Sequence, residues 1–371
     1  MKVMMTGGGT GGHINPAIAI ADTIKDHDPS ADITFVGTSK GMENRLVPRA
    51  GYPIEHIEIQ GLKRSFSLSN IKTAYLTLTS VPRAKKLLKK YKPDLVVGTG
   101  GYVSYPLLRA AAALHIPSAV HESNAVPGLA VRMLAPYIDV IFTNFEEAAS
   151  YIKPKYRHKV IRVGNPGRHG GSAVTSAEAK KKLGIDGYRY NVLVYGGSLG
   201  ADTINNAAAQ YAKKYLKDRS DVCLTHAAGV ANYEEVKAKY GEAADLENVT
   251  LLDYIYDMAD RQAAADVIIC RSGAMTTSEI ADAGRAAVFV PSPNVTDDQQ
   301  YKNAKALADK NAALLIRDAE FNADTMNEAV NRLLDDRQLR MQICKNVSAL
   351  SVPDANERIY AELIKLAGDG K

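Results

Sequence analysis

The residues best suited to chemistry lie in a glycine-rich stretch near the start of the chain. Gly7, Gly9 and Gly12 have the spacing G-x-G-x-x-G, and His13 follows them directly. A loop of this kind lets a backbone approach a phosphate, and the N-terminus of the next helix favours negative charge. Because that terminus disfavours imidazolium, His13 suits a neutral base or a hydrogen-bond partner for phosphate. The alternative is a plain strand-to-helix turn that His13 closes.

Two common nucleotide sites do not fit this stretch. A dinucleotide enzyme needs an acidic residue at the end of the second strand. That strand ends at residues 35–38, whereas Asp32 lies before it and Glu43 lies too far beyond it. Thr10 would also crowd a pyrophosphate, and no Lys-Ser or Lys-Thr pair follows Gly12 to make a Walker loop. The sequence therefore argues against a nicotinamide or flavin enzyme.

A second candidate is the tetrapeptide His-Glu-Ser-Asn at residues 121–124, which directly follows an apolar strand pattern. Polar side chains at the carboxyl end of a strand are often ligand contacts. An Asx or serine turn before Pro127 and Gly128 is the alternative interpretation.

A third candidate is the stretch at residues 271–279, which follows an apolar strand pattern and opens a helix. Ser272, Gly273 and the next amides could cradle a diphosphate, and Glu279 could accept hydrogen bonds from two ribose hydroxyls. The alternative is a capping box, in which Thr276 and Glu279 satisfy the first turn of their own helix.

Residues 291–300 form one more polar strand-to-helix turn. Thr296 and Asp297 could cap the following helix, each with a glutamine three residues further on. The adjacent Gln299 and Gln300 could instead bind the hydroxyl groups of a sugar.

Apolar strand patterns alternate with helical patterns along the chain, and the alternation restarts near residue 164. This order predicts the α/β class, with two doubly wound parallel sheets covered by helices. We expect one domain at residues 1–163 and a second at 164–353. A final helix, at about 354–371, could return to the first domain.

The glycine turns at 7–12, 98–101 and 196–200 all follow predicted strands. Ligands of open α/β sheets bind at the carboxyl ends of the strands, so these turns should line a cleft between the domains. We expect the first helix to begin at Ala17. We expect a later helix to be broken at Pro82.

Composition narrows the class of protein. The chain has 371 residues, 46% hydrophobic and 23% charged, and a net charge of +5, as expected for an ordinary globular protein. Three widely spaced cysteines predict neither disulfides nor a metal site and fit a reducing compartment. No apolar run is long enough for a signal peptide or a membrane span. We expect a cytoplasmic protein, soluble or at most peripheral on a membrane.

The positive charge concentrates in residues 61–93, which contain nine Lys or Arg and no acidic residue. Apolar residues are interspersed, a combination that suits an anionic membrane surface. A solvated helix face is the alternative. Nucleic acid is disfavoured as a partner, because no aromatic platform or reading motif accompanies the charge.

Taken together, the motifs occur in the order found in the MurG family, the undecaprenyl-diphospho-muramoylpentapeptide N-acetylglucosaminyltransferases of bacterial cell-wall synthesis. The resemblance covers nearly the whole chain. It is carried by residues 8–13, 100–104, 121–124, 164–166, 196–198, 271–274, 278–279 and 352–355.

The resemblance implies a GT-B fold, in which two Rossmann-like domains face each other across a cleft. It implies inverting transfer of GlcNAc from UDP-GlcNAc to the MurNAc C4 hydroxyl of lipid I, giving lipid II at the cytoplasmic face of the cell membrane. It implies no cofactor and no metal, and it leaves cell-wall synthesis proteins as candidate partners.

The resemblance also assigns roles to residues. His13 would be the base for the acceptor hydroxyl or would assist it. Glu279 would bind ribose, and the two glutamines would bind GlcNAc. Backbone amides and Arg168 would meet the leaving-group charge. Donor contacts are implied at Thr10, Gly11, Gly12, Asn124, Arg168, Ser198, Ile255, Ala274, Met275, Thr276, Thr277, Ser278, Glu279, Gln299 and Gln300. The acceptor diphosphate is implied at Gly9, Thr10, Gly100, Gly101 and Tyr102. The membrane surface is implied at Lys63, Arg64, Lys85, Lys86, Lys89 and Lys90.

The chain departs from the family pattern at four places. Tyr105 stands where glycine is usual, Ser123 replaces a glutamine, Gly167 replaces a valine, and the turn at 284–287 lacks its proline. Three competing functions remain: a transferase for another acceptor, a UDP-GlcNAc epimerase, and a UDP-sugar-binding protein without turnover.

Overall fold

The structure is a computed structural model that describes residues 1–59, 69–167, 174–197 and 201–369. It divides into two compact units: Met1–Arg168 with Asp354–Lys371, and His169–Pro353. Four predicted site residues, Lys63, Arg64, Arg168 and Ser198, lie outside the described residues.

The first unit is built on a parallel sheet of seven strands in the order β3-β2-β1-β4-β5-β6-β7. Its strands are β1 (Lys2–Thr6), β2 (Asp32–Gly37), β3 (Ile54–His56), β4 (Leu95–Gly98), β5 (Ser118–Glu122), β6 (Val140–Thr143) and β7 (Val160–Arg162). The strand order reverses between β1 and β4, where Thr6 pairs with Gly98. The turns that follow these two strands are therefore neighbours at the switch point, where ligands of such sheets bind.

Five helices of the first unit connect these strands. They are α1 (Gly11–His27), α2 (Glu43–Arg49), α3 (Ser69–Tyr91), α4 (Ser104–Ala112) and α5 (Leu129–Leu134). Buried apolar residues cover both faces of the sheet, one layer including α1 and the other including α4 and the end of α3. The long apolar strands buried on both faces explain the near-continuous apolar patterns in the sequence.

Two helix predictions in this unit are wrong. The first helix begins at Gly11 instead of Ala17, because its glycine-rich first turn is set by the end of β1 and not by helix propensity. The break predicted at Pro82 is absent, and α3 continues through it to Tyr91. Ala84 and Leu88 beyond the proline are fully buried, and this packing offsets the loss of one backbone hydrogen bond.

The second unit repeats the architecture with six parallel strands in the order β10-β9-β8-β11-β12-β13. The strands are β8 (Tyr190–Tyr195), β9 (Val222–Ala227), β10 (Val249–Leu252), β11 (Val267–Cys270), β12 (Ala286–Phe289) and the short edge strand β13 (Leu314–Leu315), which was not predicted. The helices are α6 (Ser176–Lys182), α7 (Asp202–Lys214), α8 (Tyr233–Tyr240), α9 (Met258–Ala264), α10 (Ala274–Ala283), α11 (Gln299–Ala308), α12 (Ala323–Asp335) and α13 (Arg337–Ser348).

The last helix, α14 (Ala355–Asp369), belongs to the first unit. Ile359 and Leu363 join the buried layer that contains α1. The ring of Tyr360 stacks on His27 with 4.1 Å between ring centroids. Across the described residues, no helix is both long and apolar enough to cross a membrane.

A buried polar network crosses the core of the second unit. The Nδ1 atom of His226 lies 2.9 Å from the Tyr240 hydroxyl, and its Nε2 atom lies 3.1 Å from Oδ1 of Asn205. The Asn205 oxygen only accepts, so Nε2 carries the proton and Nδ1 accepts from tyrosine. The imidazole is neutral, because its burial lowers the pKa of His226 to about 3.

This network predicts a loss of stability in mild acid. The unfolded chain takes up a proton below about pH 6.5, whereas folded His226 does not until about pH 3, so stability falls as the pH drops between these values. From about pH 7 to about pH 5 the expected loss from this residue is about 2 kcal/mol. Urea unfolding at both pH values should show a smaller loss for His226→Gln than for wild type. The exposed His158, replaced in the same way, is the control and should leave the wild-type loss unchanged. Equal losses in all three proteins would contradict the prediction.

Candidate functional site

At the switch point of the first unit, the turn after β1 packs directly on the turn after β4. The Thr99 hydroxyl donates to the carbonyl of His13 at 2.6 Å. A Cβ atom at Gly7 would lie 2.1 Å from that hydroxyl oxygen, and one at Gly100 would lie 2.8 Å from the His13 ring. Gly100 also has a φ of +95°, which favours glycine. The glycines are therefore required for the two turns to meet.

His13 is oriented by this contact. Its Nδ1 atom lies 2.9 Å from the carbonyl oxygen of Thr99, and its ring lies against Gly100 and Gly101. A carbonyl oxygen only accepts, so Nδ1 carries the proton and Nε2 keeps its lone pair. The histidine thus helps to close the turn while its second nitrogen is in the form of a base. Both interpretations of His13 are compatible with this geometry.

The α1 helix starts at this turn, with Thr10 in an extended conformation at its N-cap. The Thr10 side chain makes no capping hydrogen bond, so it does not satisfy the amides of the first turn. The N–H of Gly9, by contrast, donates to Oε2 of Glu43 at 3.2 Å. Gly11 and Gly12 were predicted to donate hydrogen bonds to an anion. Their amides lie in the first turn of α1, where the helix dipole favours an anion.

The tetrapeptide at residues 121–124 spans the end of β5, and Glu122 organises the turn that follows. One carboxylate oxygen accepts from both the backbone and the side-chain nitrogen of Asn124, each at 3.0 Å. The other accepts from the backbone N–H of Gly128 at 2.8 Å. The predicted turn before Pro127 is thus held by the glutamate rather than by an Asx or serine hydrogen bond alone. Glu122 belongs to the candidate tetrapeptide, but only Asn124 was assigned a ligand contact there, and the role of Glu122 in holding the turn was not predicted.

His121, next to it, is fully buried and its Nε2 atom lies 2.8 Å from the carbonyl oxygen of Gly164. Burial is the main cause that lowers the pKa of His121 to about 4, and the hydrogen bond to Gly164 only partly opposes it. His121 is therefore neutral at physiological pH and joins the ends of two segments of the first unit.

In the second unit, the turn after β11 leads straight into α10. That helix begins at Ala274, with Gly273 at its N-cap and no capping side chain. Thr276 and Glu279 both lie inside the helix, so the capping-box alternative is wrong. Glu279 is exposed on α10. The hydroxyls of Thr277 and Ser278 donate back to the carbonyl of Ala274, at 2.8 and 3.3 Å.

Arg271 is tied into the framework of the second unit. Its Nη1 atom donates to Oδ1 of Asp318 at 2.5 Å and to the carbonyl of Val290 at 2.9 Å. The Thr203 hydroxyl donates to the other oxygen of Asp318 at 2.9 Å. Both partners of this ion pair are largely buried. Through their bonds to Val290 and Thr203, they join the ends of β11 and β12 to the start of α7. Asp318 gave no signal in the sequence.

The helix after β12 begins at Gln299, with Asp298 at its N-cap and no side-chain capping bond. The caps predicted from Thr296 and Asp297 are therefore wrong. Gln300 contacts the neighbouring turns instead. Its Oε1 atom accepts from the backbone N–H of Ser292 at 2.8 Å, and its carbonyl accepts from the Ser272 hydroxyl at 2.9 Å.

The structure thus groups the predicted residues within each unit. Gly9 to His13 and Gly100 to Tyr102 come together in the first unit, and residues 271–279 come together with Gln300 in the second. Ile255 is buried in the loop after β10, between two exposed tyrosines. Within the described ranges, no group of three or more His, Cys, Asp or Glu residues could hold a metal ion.

Comparison with known proteins agrees with this arrangement. Residues 3–143 match the glycosyltransferase family 28 N-terminal domain, and residues 191–359 match the glycosyltransferase family 28 C-terminal domain. A relative from Acetivibrio thermocellus is named UDP-N-acetylglucosamine--N-acetylmuramyl-(pentapeptide) pyrophosphoryl-undecaprenol N-acetylglucosamine transferase. It is 41% identical over 98% of this chain and 98% of its own length.

Two solved structures extend the comparison. The crystal structure of Acinetobacter baumannii MurG has a TM-score of 0.78 and 31% identity, covering 98% of this chain and 99% of that one. The Neisseria meningitidis UDP-GlcNAc 2-epimerase bound to UDP-GlcNAc has a TM-score of 0.64 and 15% identity, covering 98% and 100%, and shares the fold alone. Two parallel-sheet units with these neighbours define a glycosyltransferase of the GT-B fold. The chain belongs to glycosyltransferase family 28 and, within it, to the MurG family of N-acetylglucosamine transferases.

The Glu122 contacts predict the behaviour of a single substitution. In Glu122→Gln the new amide nitrogen cannot accept, which leaves the N–H of Asn124 or Gly128 without its acceptor. A buried donor left unpaired costs about 1–3 kcal/mol, so the free energy of unfolding should fall by that amount. Hydrogen exchange over residues 121–130 should also accelerate.

The exposed Glu146 pairs with Arg162 at 3.4 Å and provides the control, Glu146→Gln. Exposed ion pairs contribute about 0–1 kcal/mol, so this variant should resemble wild type. Equal stability and equal exchange in the two variants would show that Glu122 does not hold the turn.

Proposed function

We propose that this chain transfers GlcNAc from UDP-GlcNAc to the MurNAc C4 hydroxyl of lipid I, with inversion at the anomeric carbon, to give lipid II. The observation that carries the proposal is the 41% identity, over almost the full length of both chains, to a relative named as a transferase of N-acetylglucosamine from UDP-N-acetylglucosamine to N-acetylmuramyl-(pentapeptide) pyrophosphoryl-undecaprenol. The two-unit architecture and the environment of His13 support it.

In the proposed reaction, His13 acts on the acceptor. Its Nδ1–H donates to Thr99, so Nε2 can take the proton of the C4 hydroxyl. The acceptor oxygen then attacks the anomeric carbon as the bond to the UDP oxygen breaks on the opposite face, which inverts that carbon. UDP leaves with the electron pair of the broken bond, and His13 becomes imidazolium until it loses its proton.

The donor would be bound mainly by the second unit. Ile255 and the first turns of α10 would surround the uracil and ribose, with Glu279 accepting from the ribose hydroxyls. Gln299 and Gln300 would hold the GlcNAc hydroxyls. Because Oε1 of Gln300 already accepts from Ser292, its amide nitrogen would face the sugar.

The first unit would contact the diphosphate groups of the donor and the acceptor. The amides of Gly11 and Gly12, with Thr10 and Asn124, would face the donor sugar and diphosphate, a role for preorganised donors. The diphosphate of lipid I would lie against the turns at 9–10 and 100–102. Ser198 and Arg168, outside the described residues, would add contacts on the donor side. No cofactor enters the proposal, because UDP-GlcNAc is a substrate.

Labelled UDP-GlcNAc and a lipid I analogue should give a labelled disaccharide lipid. His13→Ala should lower kcat by about 100- to 10,000-fold, because general base catalysis is lost. The affinity for UDP-GlcNAc, measured by calorimetry, should stay unchanged, as it should in the control His158→Ala. Donor binding by wild type without transfer would leave a UDP-sugar-binding protein, and conversion of the donor without lipid I would favour an epimerase.

We also propose that the first unit binds the anionic inner surface of the cell membrane. Along the end of α3, Lys86, Lys89 and Lys90 are exposed and Lys85 is half-buried. Two neighbouring cations are partly neutralised, since Lys90 lies 3.4 Å from Glu55 and Arg83 lies 3.9 Å from Glu58. Lys85, Lys86 and Lys89 therefore supply most of the charge in the described part of this surface.

Replacing these three lysines with glutamate should weaken binding to vesicles rich in phosphatidylglycerol by more than about 100-fold, since each lysine near such a surface contributes about 1 kcal/mol and each new glutamate is repelled by it. Co-sedimentation measures the effect, and phosphatidylcholine vesicles provide the neutral reference. A matched variant with Lys213, Lys217 and Lys237 changed to glutamate alters the net charge equally on the second unit. If both variants lose affinity to the same extent, total charge rather than this surface governs binding.

A further inference from the structure

Glu43, the first residue of α2, is a buried carboxylate that the reaction scheme does not use. Only 1% of its surface is exposed. A buried charge of this kind is costly unless hydrogen bonds compensate for it. Its contacts therefore show what it stabilises.

The two oxygens of Glu43 hold two different segments. Oε1 accepts from the backbone N–H and the hydroxyl of Thr38, both at 2.8 Å. Oε2 accepts from the N–H of Gly9 at 3.2 Å. Thr38 directly follows β2, so the carboxylate links the end of β2 to the glycine turn after β1.

The surrounding backbone makes room for this side chain. A Cβ atom at Gly37 would lie 2.5 Å from Cγ of Glu43, and one at Gly41 would lie 2.1 Å from its carboxylate. At Gly8 a Cβ would lie 3.0 Å from Oε1. Three glycines thus pack against one carboxylate, which leaves it little freedom to move.

The charge state of Glu43 suits this role. Burial opposes its ionisation, but the N–H groups of Thr38 and Gly9 and the Thr38 hydroxyl donate to it, and the net effect is a pKa below the usual range. The side chain is therefore ionised at neutral pH, and a charged acceptor makes the stronger hydrogen bonds.

The glycine turn is held from two sides. On one side the carbonyl of Gly8 packs against Gly101, where a Cβ would lie only 2.4 Å away. On the other side Glu43 receives the N–H of Gly9. We propose that Glu43 is a positioning residue for the transfer reaction, which fixes the peptide between Gly8 and Gly9 and so orients the amides of Gly11 and Gly12 and the ring of His13. This inference rests on the proposed function.

Glu43→Gln tests it, because the amide oxygen can still accept from Thr38 while the amide nitrogen faces the N–H of Gly9. Small displacements of catalytic groups lower rates steeply, so kcat should fall by about 10- to 100-fold. The affinity for UDP-GlcNAc should fall by a smaller factor than kcat, since most of the proposed donor contacts lie in the second unit and only those of the glycine turn are disturbed. Hydrogen exchange in a peptide spanning residues 5–14 should accelerate without any substrate present.

Glu55→Gln is the matched control, because it removes another hydrogen-bonded carboxylate of the same unit. It should keep the wild-type kcat and the wild-type exchange in residues 5–14. If Glu43→Gln keeps the wild-type kcat and loses only thermal stability, Glu43 is structural and the proposal is overturned.

Thr38→Val provides a milder second variant if Glu43→Gln fails to fold. It removes the hydroxyl donor and leaves the backbone donor, so kcat should fall several-fold with exchange accelerated in residues 5–14; unchanged values for both would overturn the proposal. Absence of transfer by wild type would instead remove the proposed function, and the exchange measurement would still decide whether Glu43 holds the turn.

Discussion

The first unit depends on the close approach of two turns at the switch point of its sheet. Thr6 pairs with Gly98, so the chain leaves β1 and β4 side by side, and no Cβ atom fits where the two turns touch. The start of α1, the protonated nitrogen of His13 and the direction of its ring all follow from this contact. The glycines are required here for packing, whether or not they bind a ligand. The same glycines can also serve as a binding motif, because a turn without side chains exposes backbone amides.

Much of this architecture could be predicted from the sequence, because parallel strands buried on both faces give unmistakable apolar runs. The positions of the glycine turns followed from the ends of those runs. The boundaries of helices were harder. Glycine has low helix propensity, which hid the first turn of α1, and a proline signals a break unless tertiary packing retains the helix, as it does around Pro82. The short edge strand β13 has only two residues and gave no pattern.

In the candidate site, too, some residues could be predicted from the sequence and others could not. His13 was identified because its type and its place after the glycines are both visible in the sequence. The capping pattern from Thr276 to Glu279 was present, but it forms a capping box only if the helix begins just after Thr276, and the end of β11 sets the start at Ala274. The partners of the turns could not be predicted, since Asp318 lies 47 residues from Arg271 and Glu43 lies 34 residues from Gly9. Nothing local distinguishes such an acid from a solvated one.

These partners share a physical logic. Glu43 holds the turn after β1, Glu122 holds the turn after β5, and Asp318 holds the turn after β11 through Arg271. A bare carboxylate near a diphosphate would repel it. The oxygens of each of these acids instead accept hydrogen bonds from donors of the protein itself. The negative charge is compensated in this way, and the acid holds a backbone segment in place. The turns can then present neutral amides and helix N-termini to an anion, in an orientation that is set before the anion arrives and needs no reorganisation when it binds.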